Sequence, residues 1–209
     1  MSDIDVGSIV PSTRDLLQVI ATRRKGMALL ALLGDRDPAE NAARLHDLNI
    51  SAFAFTEPGP AMQLAARATK TVPSLCLAPA GDRDALLRAR YFGADGICVD
   101  ATLPLDAWDK LAKGARMTRM LPLALASDAA GVEAAVKAGA RALLVRASSA
   151  DEVIALAAVV PKTMTVVGEV VSASAAALRS LHGHVDAALV PASVHTEAGF
   201  AELVVDLDP

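Results

Sequence analysis

Proton transfer needs carboxylates and cations that converge on one pocket, and this chain has few places where they can. Glu169 ends the apolar run TVVGE (165–169), and Arg146 ends another, RALLVR (141–146). On neighbouring strands the two side chains would face each other at one end of a sheet. An arginine beside a carboxylate can anchor a small anion, with Glu169, Glu57 or Asp100 as the base of an enzyme. The plain alternative is an ion pair closing a disused pocket, since structural pairs perturb charges as functional ones do. Glu57 follows SAFAFT and Asp100 ends DGICVD, so both fall at comparable strand ends as candidate substrate-binding groups. Asp35, Arg36, Ser127 and His195 fall at such ends too. Ser172, Ser174 and Ser193 can offer hydroxyls to a phosphate, although serine is equally a favoured helix cap.

Other reactive types read as structure. Cys76 and Cys98 lie in apolar runs, where a thiol behaves as a small hydrophobe, and no base neighbours them in sequence. Two cysteines do not make a disulfide framework. His182 and His184 flank Gly183, but two histidines alone make a poor metal site. No motif calls for a metal or a cofactor.

The elements that must position these groups repeat. ISAFAF (50–55), DGICVD (95–100), RALLVR (141–146) and DAALVP (186–191) are short, apolar and bounded by polar or turn residues, as buried parallel strands are. Each is preceded by Asn49, Gly93, Gly139 or Gly183, residue types that tolerate the left-handed conformation after a helix. These four recur at intervals of 44, 46 and 44 residues. That is long enough for two strand–helix units. The intervening strands fall midway, at MALLALL (27–33), PSLCL (73–77), LPLAL (121–125) and TVVGE (165–169). Helix starts are marked by Asp37-Pro38, Asp82, Ser127-Asp128, the capping-box pair Ser149 and Glu152, and Ser172 or Ser174. A further helix near 12–22 precedes the first strand and is placed to cover the bottom of a barrel. Eight such units make a closed barrel or a doubly wound open sheet. The even period favours the barrel: one α/β domain over residues 1–209, a (β/α)8 barrel of eight parallel strands with a short extra N-terminal helix.

Composition narrows the class. The 209 residues are 53% hydrophobic, 21% charged and only 3% aromatic, so Ala, Leu and Val must build the core. The formal net charge of −4 offers no basic surface for nucleic acid. No run of about 18 apolar residues exists to span a membrane. The start, MSDIDVGSIV, is acidic and too weakly apolar for a secretory signal. We therefore expect a reduced, cytoplasmic protein.

Several stretches resemble the indole-3-glycerol phosphate synthase family in order and spacing, over about residues 12–195. RKGMALLALLGDRDPAENA looks like that family's first strand and helix with a shortened loop. SAFAFTEPGP is similar to its second strand and Thr-Glu-Pro. PSLCLAPAGDRDALLRARYFGADGICV, SDAAGVEAAVKAGARALLV and VVGEVVSASAAALRSLHGHVDAALVPAS resemble later units. The resemblance implies a TIM barrel and a carboxy-lyase of tryptophan biosynthesis, which closes an indole ring on a phosphorylated substrate.

At the family's catalytic positions the chain departs. Leu32 and Gly34 stand where the family has Glu-x-Lys, and Leu77 where it has its general-acid lysine. Leu125 replaces a glutamate and Arg146 an asparagine. Gly168-Glu169-Val170-Val171 replaces Ser-Glu-Ser-Gly, so only Glu169 survives, and Pro191-Ala192 replaces Gly-Glu. Leucine cannot move a proton, and no lysine lies in the first, third or fifth strand. Each lost proton-transfer group costs about 10²–10⁴ in rate. The loops after the seventh and eighth strands lack the glycines that let backbone approach a phosphate. Three readings follow. One is a catalytically degenerate barrel, a pseudoenzyme kept for binding a small anionic or phosphorylated ligand, or for assembly as a homo-oligomer or with a protein partner. The second is an active synthase with relocated groups. The third is a different small-anion-processing enzyme using Glu169 and Arg146. In the first, Leu32, Leu77 and Leu125 should fill the pocket.

Overall fold

The computed structural model describes residues 9–21 and 26–207. The acidic stretch 1–8 and the end of the expected N-terminal helix at residue 22 lie outside the described residues. A helix α1 (Leu16–Ala21) precedes β1 (Ala28–Leu32), α2 (Pro38–Asp47), β2 (Ala52–Phe55), α3 (Pro60–Ala68), β3 (Ser74–Cys76), α4 (Arg83–Tyr91) and β4 (Gly96–Asp100). The second half runs α5 (Leu105–Met117), β5 (Leu121–Ala126), α6 (Ala129–Lys137), β6 (Ala142–Ala147), α7 (Ala150–Ala157), β7 (Thr165–Val170), α8 (Ala175–Leu181), β8 (Ala187–Val190), α9 (Ala192–His195) and α10 (Phe200–Leu207). The eight strands pair in sequence order, all parallel, and β8 returns to β1 to close the barrel. The expected (β/α)8 barrel is the observed fold, with each strand within two residues of its expected ends.

The alternation of side chains along each strand divides the apolar residues into two cores. Leu30, Ala54, Leu75, Cys98, Leu123, Leu144, Val167 and Leu189 point into the barrel. Phe53, Cys76, Val99, Leu143 and Val190 point outward into a larger core shared with Met62, Trp108 and Leu178 of the helices. Small Ala and branched Leu fill the barrel interior, which is why a chain so poor in aromatics can close one.

The turn chemistry explains the boundaries. Asn49, Gly93, Gly139 and Gly183 all take positive φ, at 63°, 104°, 66° and 83°, ending the helices before the even-numbered strands. Asp82, Asp128, Ser149 and Ser174 each accept a backbone N–H at the start of a helix. Three details differ from expectation. Asp37 occupies the cap position but sits at φ 47°, and its side chain makes no capping bond. Glu152 is engaged chiefly by the residue before the cap: its carboxylate accepts from the backbone N–H and hydroxyl of Ser148, at 3.0 and 2.7 Å. The first helix begins at Leu16, not near residue 12, because the Arg14 N–H donates to Ser12 Oγ at 3.0 Å and holds that stretch in a turn. Asp15 then caps α1 through the N–H of Gln18 at 3.0 Å.

Leu16 and Ile20 of α1 enter the interior core and stop the N-terminal end of the barrel. The fit is close: a Cβ on Gly96, at the start of β4, would lie 2.5 Å from Leu16 Cδ2. The strands' carboxyl ends therefore form the opposite rim, the one at which barrel enzymes place their sites.

Candidate functional site at the strand carboxyl ends

Barrel enzymes assemble their sites from the ends of several strands, so the residues that point inward there decide the chemistry. The register places Arg146 of β6 level with Glu169 of β7. Arg146 Nε donates to Glu169 Oε2 at 2.7 Å. The carboxylate side chain is 17% exposed and the guanidinium side chain 36%, so the pair stands at the rim with one face to water. The juxtaposition expected from the strand pattern is thus present, as a closed ion pair.

Around it the interior is apolar. Leu77 is 4% exposed within the barrel core, and the partly buried Leu32 and Leu125 pack against that core. These are the three positions expected to fill the pocket. No proton donor or acceptor is offered by any of them.

The other candidate residues do not join the pair. Asp100 ends β4, but its carboxylate accepts from the N–H and hydroxyl of Thr102, at 2.8 and 2.7 Å. Glu57 is exposed in the turn after β2, and Ser172 is exposed after β7. Ser193 is exposed within the four-residue α9, whose cap position is Pro191. Ser174 takes the capping role on α8 through the Ala177 N–H. Ser172 and Ser193 therefore cap nothing. Among the described residues no hydrogen bond or ion pair links Glu57, Asp100, Ser172 or Ser193 to Arg146 or Glu169.

His195 is a buried member of this rim at 3% exposure. Its Nε2 lies 2.9 Å from the Leu32 carbonyl, and Arg44 approaches its Nδ1 at 3.3 Å. A carbonyl can only accept and a guanidinium can only donate. The imidazole is therefore neutral, with the proton on Nε2. Burial lowers its pKa from the ordinary value, the Leu32 carbonyl opposes that shift, and Arg44 adds to it. The ring ties the end of β1 to α2 and α9. Its nitrogens are both occupied, so it is not a free base.

The cysteines are inert for the same physical reason. Burial pushes the Cys76 thiol up to about 11 and raises Cys98 further still. A thiol at such values is not a thiolate near neutral pH. The two also lie in different cores, Cys98 inside the barrel and Cys76 outside.

The sequence reading missed the strongest ionic cluster, which lies at the other end. Asp95, just before β4, is 1% exposed. One of its oxygens accepts from the Ser74 N–H and Arg14 Nε, both at 2.8 Å. The other accepts from Arg90 at 3.0 Å and from the Ser12 hydroxyl. Arg14 also donates to the carbonyls of Val72 and Gly93, both at 3.0 Å. This cluster locks the N-terminal segment, α4 and the starts of β3 and β4 together. Only an aspartate placed where the periodicity calls for a strand to begin hinted at it.

The architecture defines the class as an eight-stranded parallel barrel with an apolar interior and the Arg146–Glu169 ion pair at its carboxyl rim. A scan against protein-family models finds no match, and neither does a search of curated proteins. Among the described residues no helix is long and apolar enough to cross a membrane.

Proposed function

We propose that this chain is a cytoplasmic barrel of the indole-3-glycerol phosphate synthase kind that has lost the carboxy-lyase reaction, a pseudoenzyme kept for binding or assembly. The observation that carries this reading is the set of inward-facing leucines, Leu32, Leu77 and Leu125, where the family it resembles needs acid and base groups. Indole ring closure requires a proton delivered to a departing hydroxyl and another removed. That takes at least two titratable groups facing the substrate. Glu169 is the one carboxylate left at a matching position, and Arg146 already occupies it. A small anionic or phosphorylated compound, a second copy or a partner protein are the ligands open to such a barrel.

The test is incubation of the folded protein with the family's phosphorylated carboxyphenylamino substrate, following indole product by fluorescence. No product supports the proposal. Product formation that Glu169→Gln abolishes would overturn it and make Glu169 the relocated catalytic carboxylate.

A further inference from the structure

A cavity of about 400 Å³ opens at the end of the barrel opposite the strand carboxyl ends, between the N-terminal segment, α5 and the starts of β5 and β6. Four arginines line it, Arg14, Arg116, Arg119 and Arg141, with two aspartates, Asp15 and Asp95. Asp95 is neutralised by Arg14 and Arg90. Arg116, Arg119 and Arg141 are exposed and have no hydrogen-bonding or ion-pair partner for their side chains among the described residues. Cations in excess of the carboxylates around a concavity focus positive potential, and guanidiniums match the oxygens of a phosphoryl group in pairs.

Two further features single out this cavity. Arg119 holds φ 58°, the left-handed conformation that Asn49, Gly93, Gly139 and Gly183 take after other helices. An arginine there carries backbone strain that a glycine would not. An arginine in that conformation places a cation at the cavity wall. Trp108 also lines the cavity; it is 1% exposed, and its indole N–H has no acceptor. Buried indole N–H groups ordinarily have one. A helix-end role accounts for Arg116, in the last turn of α5, because cations favour that end of the dipole. Arg119 directly follows the same helix end, whereas Arg141 lies outside the last turn of α6 and has no such explanation.

We infer that this cavity is a binding site for the phosphoryl group of a small multivalent anion, separate from the strand carboxyl ends. It stands whether or not the barrel catalyses ring closure.

Trp108 is the single tryptophan of the chain and lies in the cavity wall, so it serves as the reporter. The protein is titrated with inorganic pyrophosphate and with inorganic phosphate at fixed ionic strength, reading Trp108 emission and the thermal midpoint. Saturable binding of pyrophosphate, tighter than of phosphate, is expected in the wild type. Arg119→Gly and Arg141→Gln should each weaken it about tenfold or more, from loss of a charged hydrogen-bond donor. Arg119→Gly should do so with an unchanged or higher thermal midpoint in the absence of anion, because glycine relieves the backbone. Arg36→Gln, which removes the same charge at the opposite rim, should leave binding unchanged. No saturable response in either readout, or equal binding by wild type, Arg119→Gly and Arg141→Gln, would overturn the site. So would an equal loss in Arg36→Gln.

Discussion

Individual charges in this barrel have very different weights, and burial decides which. The Arg146–Glu169 pair is short but partly solvated, and pairs of that kind contribute about 1 kcal/mol or less. Asp95 is the opposite case. Its replacement by Ala leaves Arg14 and Arg90 without their carboxylate in a nearly dry site, which should cost about 3–5 kcal/mol. Chemical denaturation checks this; a loss below 1 kcal/mol would mean that the cluster is peripheral. His195 gives a pH signature. Its folded pKa lies below its unfolded value of about 6.5, so the unfolded state binds the extra proton. Its contribution is complete above that unfolded value, is lost as pH falls below it, and levels off beneath the lowered folded value. Thermal midpoints of the wild type should therefore drop between pH 7.5 and 5.5 more steeply than those of His195→Gln. Equal slopes would show that the ring is not held neutral. The Arg146–Glu169 meeting was legible because both residues end strands of adjacent units. The Asp95 cluster was not, because Ser12 and Arg14 arrive from about 80 residues away in sequence, a distance over which no local pattern speaks.

At the scale of elements, strands and turns were the most readable part. Buried parallel strands leave an unbroken apolar run, and the left-handed positions after helices select Gly or Asn. Arg119 escaped notice for that very reason, since arginine carries no turn signal. Cap side chains were harder to assign, because Asp, Ser and their neighbours compete for the same N–H groups. Thus Ser127-Asp128 and Ser172 or Ser174 stand as alternatives in the sequence, and the structure gives the caps to Asp128 and Ser174. Helix α1 was expected as a cover, and its depth comes from the missing side chain at Gly96. Gly96→Ala would push against Leu16 at 2.5 Å while Leu75 and Leu123, both at 3.2 Å, block retreat. Overpacking of this kind costs about 1–3 kcal/mol. Urea unfolding should register it; an unchanged midpoint would mean that α1 rides loosely on the barrel.

For the molecule as a whole, the two ends of the barrel present different side chains. The carboxyl rim, where barrels place catalysis, presents Leu32, Leu77 and Leu125 around a paired Arg146 and Glu169. The opposite end holds the buried ionic cluster and a cavity walled by arginines. The repeat length and strand pattern were enough to read the closed barrel. They did not reveal the arginine cavity, because its lining comes from segments that meet only once the barrel has closed. The most direct measurement is the steady-state rate of indole product formation from the phosphorylated carboxyphenylamino substrate, with the protein's fold verified by circular dichroism. Loss of the carboxy-lyase reaction predicts no rate above the uncatalysed background. Turnover of about 1–10 s⁻¹, ordinary for an enzyme, would contradict it.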